Sequence, residues 1–92
     1  MRINKVLKAL SHPTRRDILV RLRNGPLSAG ALASHFDVSK PTMSAHFGAL
    51  KDADLVYTER NGNTLLYHLN VTVADEALAS LMSIIGSGNS HV

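Results

Sequence analysis

Five histidines, His12, His35, His46, His68 and His91, are the residues here best suited to hold a metal or move a proton. No two of them stand three or four positions apart, so no helix offers a pair to one cation. A site shared between two copies and drawn from His68, Asp75, Glu76 and His91 stays open, but the spacing favours a chain with no metal and no cofactor. There is no cysteine to supply a thiolate or a disulfide. Serines and aspartates are present, yet none sits in a glycine elbow, a carboxylate pair or a phosphate loop. The chain does not read as an enzyme.

A different chemistry shows in the run Ser39-Lys40-Pro41-Thr42-Met43-Ser44-Ala45-His46-Phe47. Ser39 is a helix cap, Pro41 suits the first turn, and Met43, Phe47 and Leu50 recur at the spacing of a buried stripe. Lys40, Thr42, Ser44, Ala45 and Gly48 are then left outside, nearly all of them short. A helix lying against base edges in a groove about 12 Å wide needs such a face. Its N-terminus, opened by Ser39, can hold a phosphate through backbone N–H groups. Lys40, Thr42 and Ser44 are expected to meet bases or phosphates, with Pro41 and Ala45 beside them. His46, near the inner edge, is expected to hydrogen-bond backbone or phosphate. An ordinary surface helix would also carry small residues, but not usually behind a paired support helix.

Charge points the same way. Residues 1–51 hold nine of the ten Lys/Arg against Asp17 and Asp37, a net +7, whereas residues 52–92 carry −4. Such a split suits a polyanion at one end of the molecule. Only four aromatics are present and no Trp, which weakens any reading based on stacking single-stranded bases.

Those residues need a frame. Ile3–Leu10 has the period of a first helix, and Pro13 opens a second that runs to about Arg23 before Asn24-Gly25-Pro26 stops it. Arg15 is expected to lock helices together, while Arg16 either reaches a phosphate or lies on a solvated face. Ser28 caps a short third helix with Leu32 and Phe36 inward. After the Ser39–Ala53 helix, residues 55–60 and 64–69 are strand-like around the hairpin signal Asn61-Gly62-Asn63. Arg60 and that tip would touch a neighbouring groove, or form a plain charged hairpin edge. Thr72, with Asp75 three residues on, opens a last helix. The expected architecture is α+β, a winged helix-turn-helix of four helices, a two-stranded wing and a fifth helix.

At 92 residues there is one domain, expected over 1–86, with a disordered tail at 87–92. A chain this short buries only about 60 % of the surface its unfolded form exposes, which favours dimerisation. Leu78, Leu81, Met82 and Ile85 repeat at i, i+3, i+4 and i+7, and Ala77 and Ile84 widen that surface beyond one stripe. They are expected to pack on a second copy, with Ile3, Val6 and Leu7 alongside. No apolar run reaches the length of about 18 residues that spans a bilayer, and the start is too polar for a secretory signal. A cytoplasmic protein is expected.

Leu10 to Leu69 resembles the ArsR-type winged-helix repressors. The resemblance rests on Ser11-His12-Pro13-Thr14-Arg15-Arg16-Asp17-Ile18-Leu19, on Leu27-Ser28 with Leu32-Ala33, on the Val38–Phe47 run with Leu50-Lys51, and on Leu55-Val56. Arg60-Asn61-Gly62-Asn63 and Tyr67-His68-Leu69 complete it. The Pro-Thr-Arg-Arg run, the short length and Ser-Lys-Pro look most like the SdpR-type autorepressor branch. This implies a homodimer on a pseudo-palindromic operator of double-stranded DNA, repressing its own operon without a metal effector. In some members of that branch a membrane-bound product of the same operon sequesters the repressor. A ligand-sensing repressor with an unidentified inducer and a winged-helix protein-interaction module are the alternatives. Two residues depart from the family pattern: Asp54 stands where Gly usually ends the recognition helix, and Phe47 where Leu is preferred.

Overall fold

The computed structural model describes residues 2–86. The expected tail, 87–92, lies outside the described residues. Helices α1 (Ile3–Leu10) and α2 (Pro13–Leu22) are followed by strand β1 (Leu27–Ser28), α3 (Ala29–Ala33) and α4 (Lys40–Asp52). Strands β2 (Val56–Asn61) and β3 (Thr64–Leu69) form the wing, and α5 (Val71–Ile84) ends the fold.

Side chains set the helix starts. His12 Nδ1 accepts the Thr14 N–H ahead of Pro13, and Ser28 Oγ accepts from Ala31. Each satisfies a backbone donor that the first turn leaves without a partner. The last helix begins two residues earlier than Thr72. Asn70 is its cap, accepting the Val73 N–H, and its own N–H donates to the Leu55 carbonyl at 2.9 Å. The chain therefore passes from β3 into α5 without a loop.

The wing is the expected hairpin, but the sheet that carries it is wider. The antiparallel sheet has three strands in the order β1-β3-β2, with Leu27 opposite Tyr67 and Ser28 opposite Leu66. The hairpin turns at Gly62, whose φ of +64° suits the first position of a two-residue loop.

Ile18, Leu32, Leu50 and Val6 are fully buried, and Phe47 stacks on Tyr67 with ring centroids 4.6 Å apart. That stack fills the wider pocket which Phe47 demands in place of Leu. Val6 is only 1 % exposed within its own subunit, so it is not part of any surface a second copy could meet. The inward side of α1 is Val6 and Ala9, with Leu10 packed against them, while Leu7 is exposed.

Asp54 ends α4 in the left-handed region, at φ +58°. Its N–H donates to Lys51 and that of Leu55 to Leu50, the paired bonds of a Schellman cap. Such a φ is costly for a side chain but tolerated best, after Gly, by Asn and Asp. Arg2 lies 3.6 Å from the Asp54 carboxylate, an exposed pair that offsets little of the cost. Replacing Asp54 by Gly should raise stability by up to about 1 kcal/mol, and Asp54→Val should lower it by about 1–2 kcal/mol. Urea midpoints of the two variants check the order.

Candidate nucleic-acid interface

The α3–turn–α4 unit presents its second helix outward. Met43, Phe47 and Leu50 sink into the core, and Lys40, Pro41, Thr42, Ser44, Ala45 and Gly48 are exposed, as the residue spacing predicts. Ser39 Oγ accepts the Thr42 N–H at 3.2 Å and contacts Thr42 Oγ1 at 2.9 Å. The first turn of α4 contains no acidic residue. Lys40 instead stands at the positive end of the helix dipole, a placement that costs a few tenths of a kcal/mol or more, up to about 1. An anion placed there would relieve it.

His46 is the exception on this helix. Only 5 % exposed, it lies with Met43, Phe47 and Leu50 on the buried stripe and is not available to a phosphate. Its Nδ1 accepts from Arg15 Nε at 3.2 Å, and its ring lies 4.4 Å from that of His12. The spacing 43, 46, 47, 50 was the signal that places it there. Burial, then the nearby His12 and Arg15, hold its pKa below the ordinary 6.5.

Arg15 also donates to the Lys8 carbonyl at 3.3 Å, so one guanidinium joins α1, α2 and α4. Arg16 donates to the Leu10 carbonyl at 2.7 Å, which ties it to the end of α1, though the residue remains exposed. Arg21 pairs with Asp17 at 3.3 Å and lies over the Phe36 ring.

On the wing, Arg60, Asn61, Gly62 and Asn63 are all exposed. Arg60 continues the row Val56–Thr58, and Val56 is buried, so this row belongs to the sheet face turned toward the helices. The opposite face carries Tyr57 and Glu59: Tyr57 stacks on His68, and Glu59 Oε1 lies 2.8 Å from His68 Nε2. Glu76 pairs with Arg2 at 2.9 Å. Among the described residues no group of three His, Asp or Glu is placed to hold a metal ion, and His91 lies outside them.

A family model described as a helix-turn-helix domain matches residues 10–59. The transcriptional repressor SdpR of Bacillus subtilis is 40 % identical over 90 residues, covering 98 % of this chain and 100 % of that protein. The solved structure of an ArsR-like transcriptional regulator from a Rhodococcus species superposes with a TM-score of 0.81 at 28 % identity, over 97 % of this chain and 83 % of that one. The chain belongs to the ArsR-type winged helix-turn-helix repressors. A homodimeric winged helix-turn-helix DNA-binding domain from Mycobacterium bovis is similar too, with a TM-score of 0.73 at 29 % identity, covering 96 % and 81 % of the two chains. ArsR-type proteins are DNA-binding transcriptional regulators, not an enzyme family. No described helix of this member is long and apolar enough to cross a membrane.

The Ser39 cap holds the first turn of the outward helix, so Ser39→Ala should cost about 1 kcal/mol of stability. Amide exchange in the first turn of α4 should quicken more than exchange elsewhere. Uniform quickening would show that the cap acts on the whole fold.

Proposed function

We propose that the chain binds an operator as a homodimer, places α4 of each subunit in a major groove with the wing alongside, and represses transcription by covering a promoter. The observation that carries this reading is the outward row of α4, short and polar around Lys40, Thr42 and Ser44, with Arg60 continuing the helix-facing row of the wing. Ser39, Pro41, Ala45, Asn61, Gly62 and Asn63 complete the contact surface, and Arg16 adds a phosphate contact through the N–H groups that Leu10 does not use. His46 has no place in it.

The dimer would form through α5. Leu78 is 59 % exposed and Ile85 73 %, and exposed Leu7 adds to them from α1. Leu78 and Leu81 also border an apolar groove with Leu10, Leu19 and Val20. Met82 belongs to the same stretch of α5, and half-buried Ile3 adds to α1's share. A surface of this kind in water marks an interface. The similar domain from Mycobacterium bovis is homodimeric. Two-fold symmetry would match a pseudo-palindromic operator with half-sites about one helical turn apart.

By its likeness to SdpR, the repressed operon would be the chain's own, in the cytoplasm, with no metal or nucleotide needed for binding. A membrane-bound product of that operon is the partner class to test as a sequestering protein. Zinc, cadmium or arsenite should leave the complex with DNA intact.

Thr42→Ala or Ser44→Ala should cost about 1–3 kcal/mol on operator DNA and far less on a random duplex. Arg60→Ala should weaken both duplexes alike and lower the salt slope by about one unit. Equal losses on both duplexes for Thr42 and Ser44 would remove them from base reading. For the dimer, Leu78→Asp would bury two like charges near the axis, one from each subunit. Sedimentation should find a folded monomer, and operator affinity should collapse with every DNA-facing residue intact. A variant that stays dimeric would exclude α5 as the interface.

A further inference from the structure

Beneath the outward helix lies a cluster that DNA contact does not use. His46 Nδ1 accepts the Arg15 Nε–H, so that nitrogen carries no proton. His12 Nδ1 likewise accepts the Thr14 N–H, and the two imidazoles lie tilted against each other, with centroids 4.4 Å apart and an interplanar angle of 54°. A proton on His46 Nδ1 would break the acceptor bond that joins α4 to α2. It would also set a new cation against the Arg15 guanidinium.

We propose that His46 is a positioning residue whose neutral imidazole seats α4 on α2, so that acid weakens operator binding. This rests on the DNA-binding reading above.

The charged and titratable groups acting on His46 are His12 and Arg15, both from the α2 side. From α1 the Lys8 carbonyl holds Arg15, and Lys5, Lys8 and Asp52 line the cleft beside that guanidinium. Burial is the first cause of the lowered His46 pKa, and both neighbours add to it. A histidine whose folded pKa lies below its unfolded value contributes stability that is present above the unfolded pKa. That contribution is lost as pH falls through 6.5 and below.

The sign separates this from ordinary electrostatics. Histidines that gain charge near phosphates strengthen binding to a polyanion, so acid normally tightens such a complex. Here one buried proton opposes binding. By linkage, DNA must then oppose that proton and push the His46 pKa lower still.

The test measures binding of a labelled duplex, taken from the DNA immediately upstream of the reading frame, between about pH 7.5 and 5.5 at constant salt. Wild-type affinity should fall toward acid, by less than the roughly elevenfold that an ordinary 6.5 would give at pH 5.5, because the fraction of protein with a neutral His46 falls. His46→Asn keeps an acceptor near the Nδ1 position and does not titrate, so its profile should stay level or rise. A level or rising wild-type profile overturns the proposal, and so does an equal fall in the variant. The His46 ring proton signal of the wild-type protein gives a second reading that needs no variant. It should titrate below 6.5 in the free protein and lower again on the duplex, and a rise on binding overturns the assignment. If neither this duplex nor a random one binds at pH 7.5, the DNA-binding reading fails. The free protein's titration then judges the imidazole alone, and a value above 6.5 overturns it.

Discussion

An outward-facing helix can be held by one side only, and in this fold the stack of Phe47 on Tyr67 is what ties that side to the central strand of the sheet. Phe47 belongs to α4 and Tyr67 to β3, whose neighbours are β2 on one side and β1 on the other. One aromatic contact therefore couples α4 to the sheet that carries the wing. Rings at this distance add about 0.5–1.5 kcal/mol beyond the area they bury. Burial also pushes the Tyr67 phenol above its ordinary pKa of 10, so the stack is uncharged at neutral pH. Everything on the far side of α4 is then free to be small and polar.

Polar locks complete what the stack begins. Arg15 spends its guanidinium on the Lys8 carbonyl and His46 Nδ1, and Arg16 donates to the Leu10 carbonyl. Much of the basic excess of α2 is thus committed to joining helices. The acidic second half is committed in part as well, since Arg2 bridges Asp54 and Glu76 at the base of α1 and α5. A net charge summed along a sequence describes composition, and only the pairing shows which charges remain for a partner.

Most of the frame was legible because local rules and the global fold agree. Pro13, Ser28 and Ser39 start their helices, Gly62 turns the hairpin, and Asp54 ends α4 where the family usually has Gly. Strand β1 was not legible, since two residues cannot display alternation and Leu27–Ser28 finds its partner forty residues away in β3. The α5 cap was misplaced because Asn70 and Thr72 are both good caps, and only the bond from Asn70 to Leu55 decides between them. His46 was hidden by its polar type, since its spacing from Met43, Phe47 and Leu50 already puts it on the buried stripe, whereas Val6 was hidden by helix rotation. A periodic stripe shows which residues go together but not how far the helix is rotated, and a rotation of one position moves a side chain from surface to core.

The Asn70 to Leu55 hydrogen bond has a mechanical consequence. Leu55 is the residue that closes the cap of α4, and Asn70 is the one that opens α5. The far end of α4 and the near end of α5 are therefore bolted at one hinge pin, with the whole hairpin looped out between them. The hairpin leaves and returns at that bond, so the separation of these two helix ends does not depend on how long the wing is.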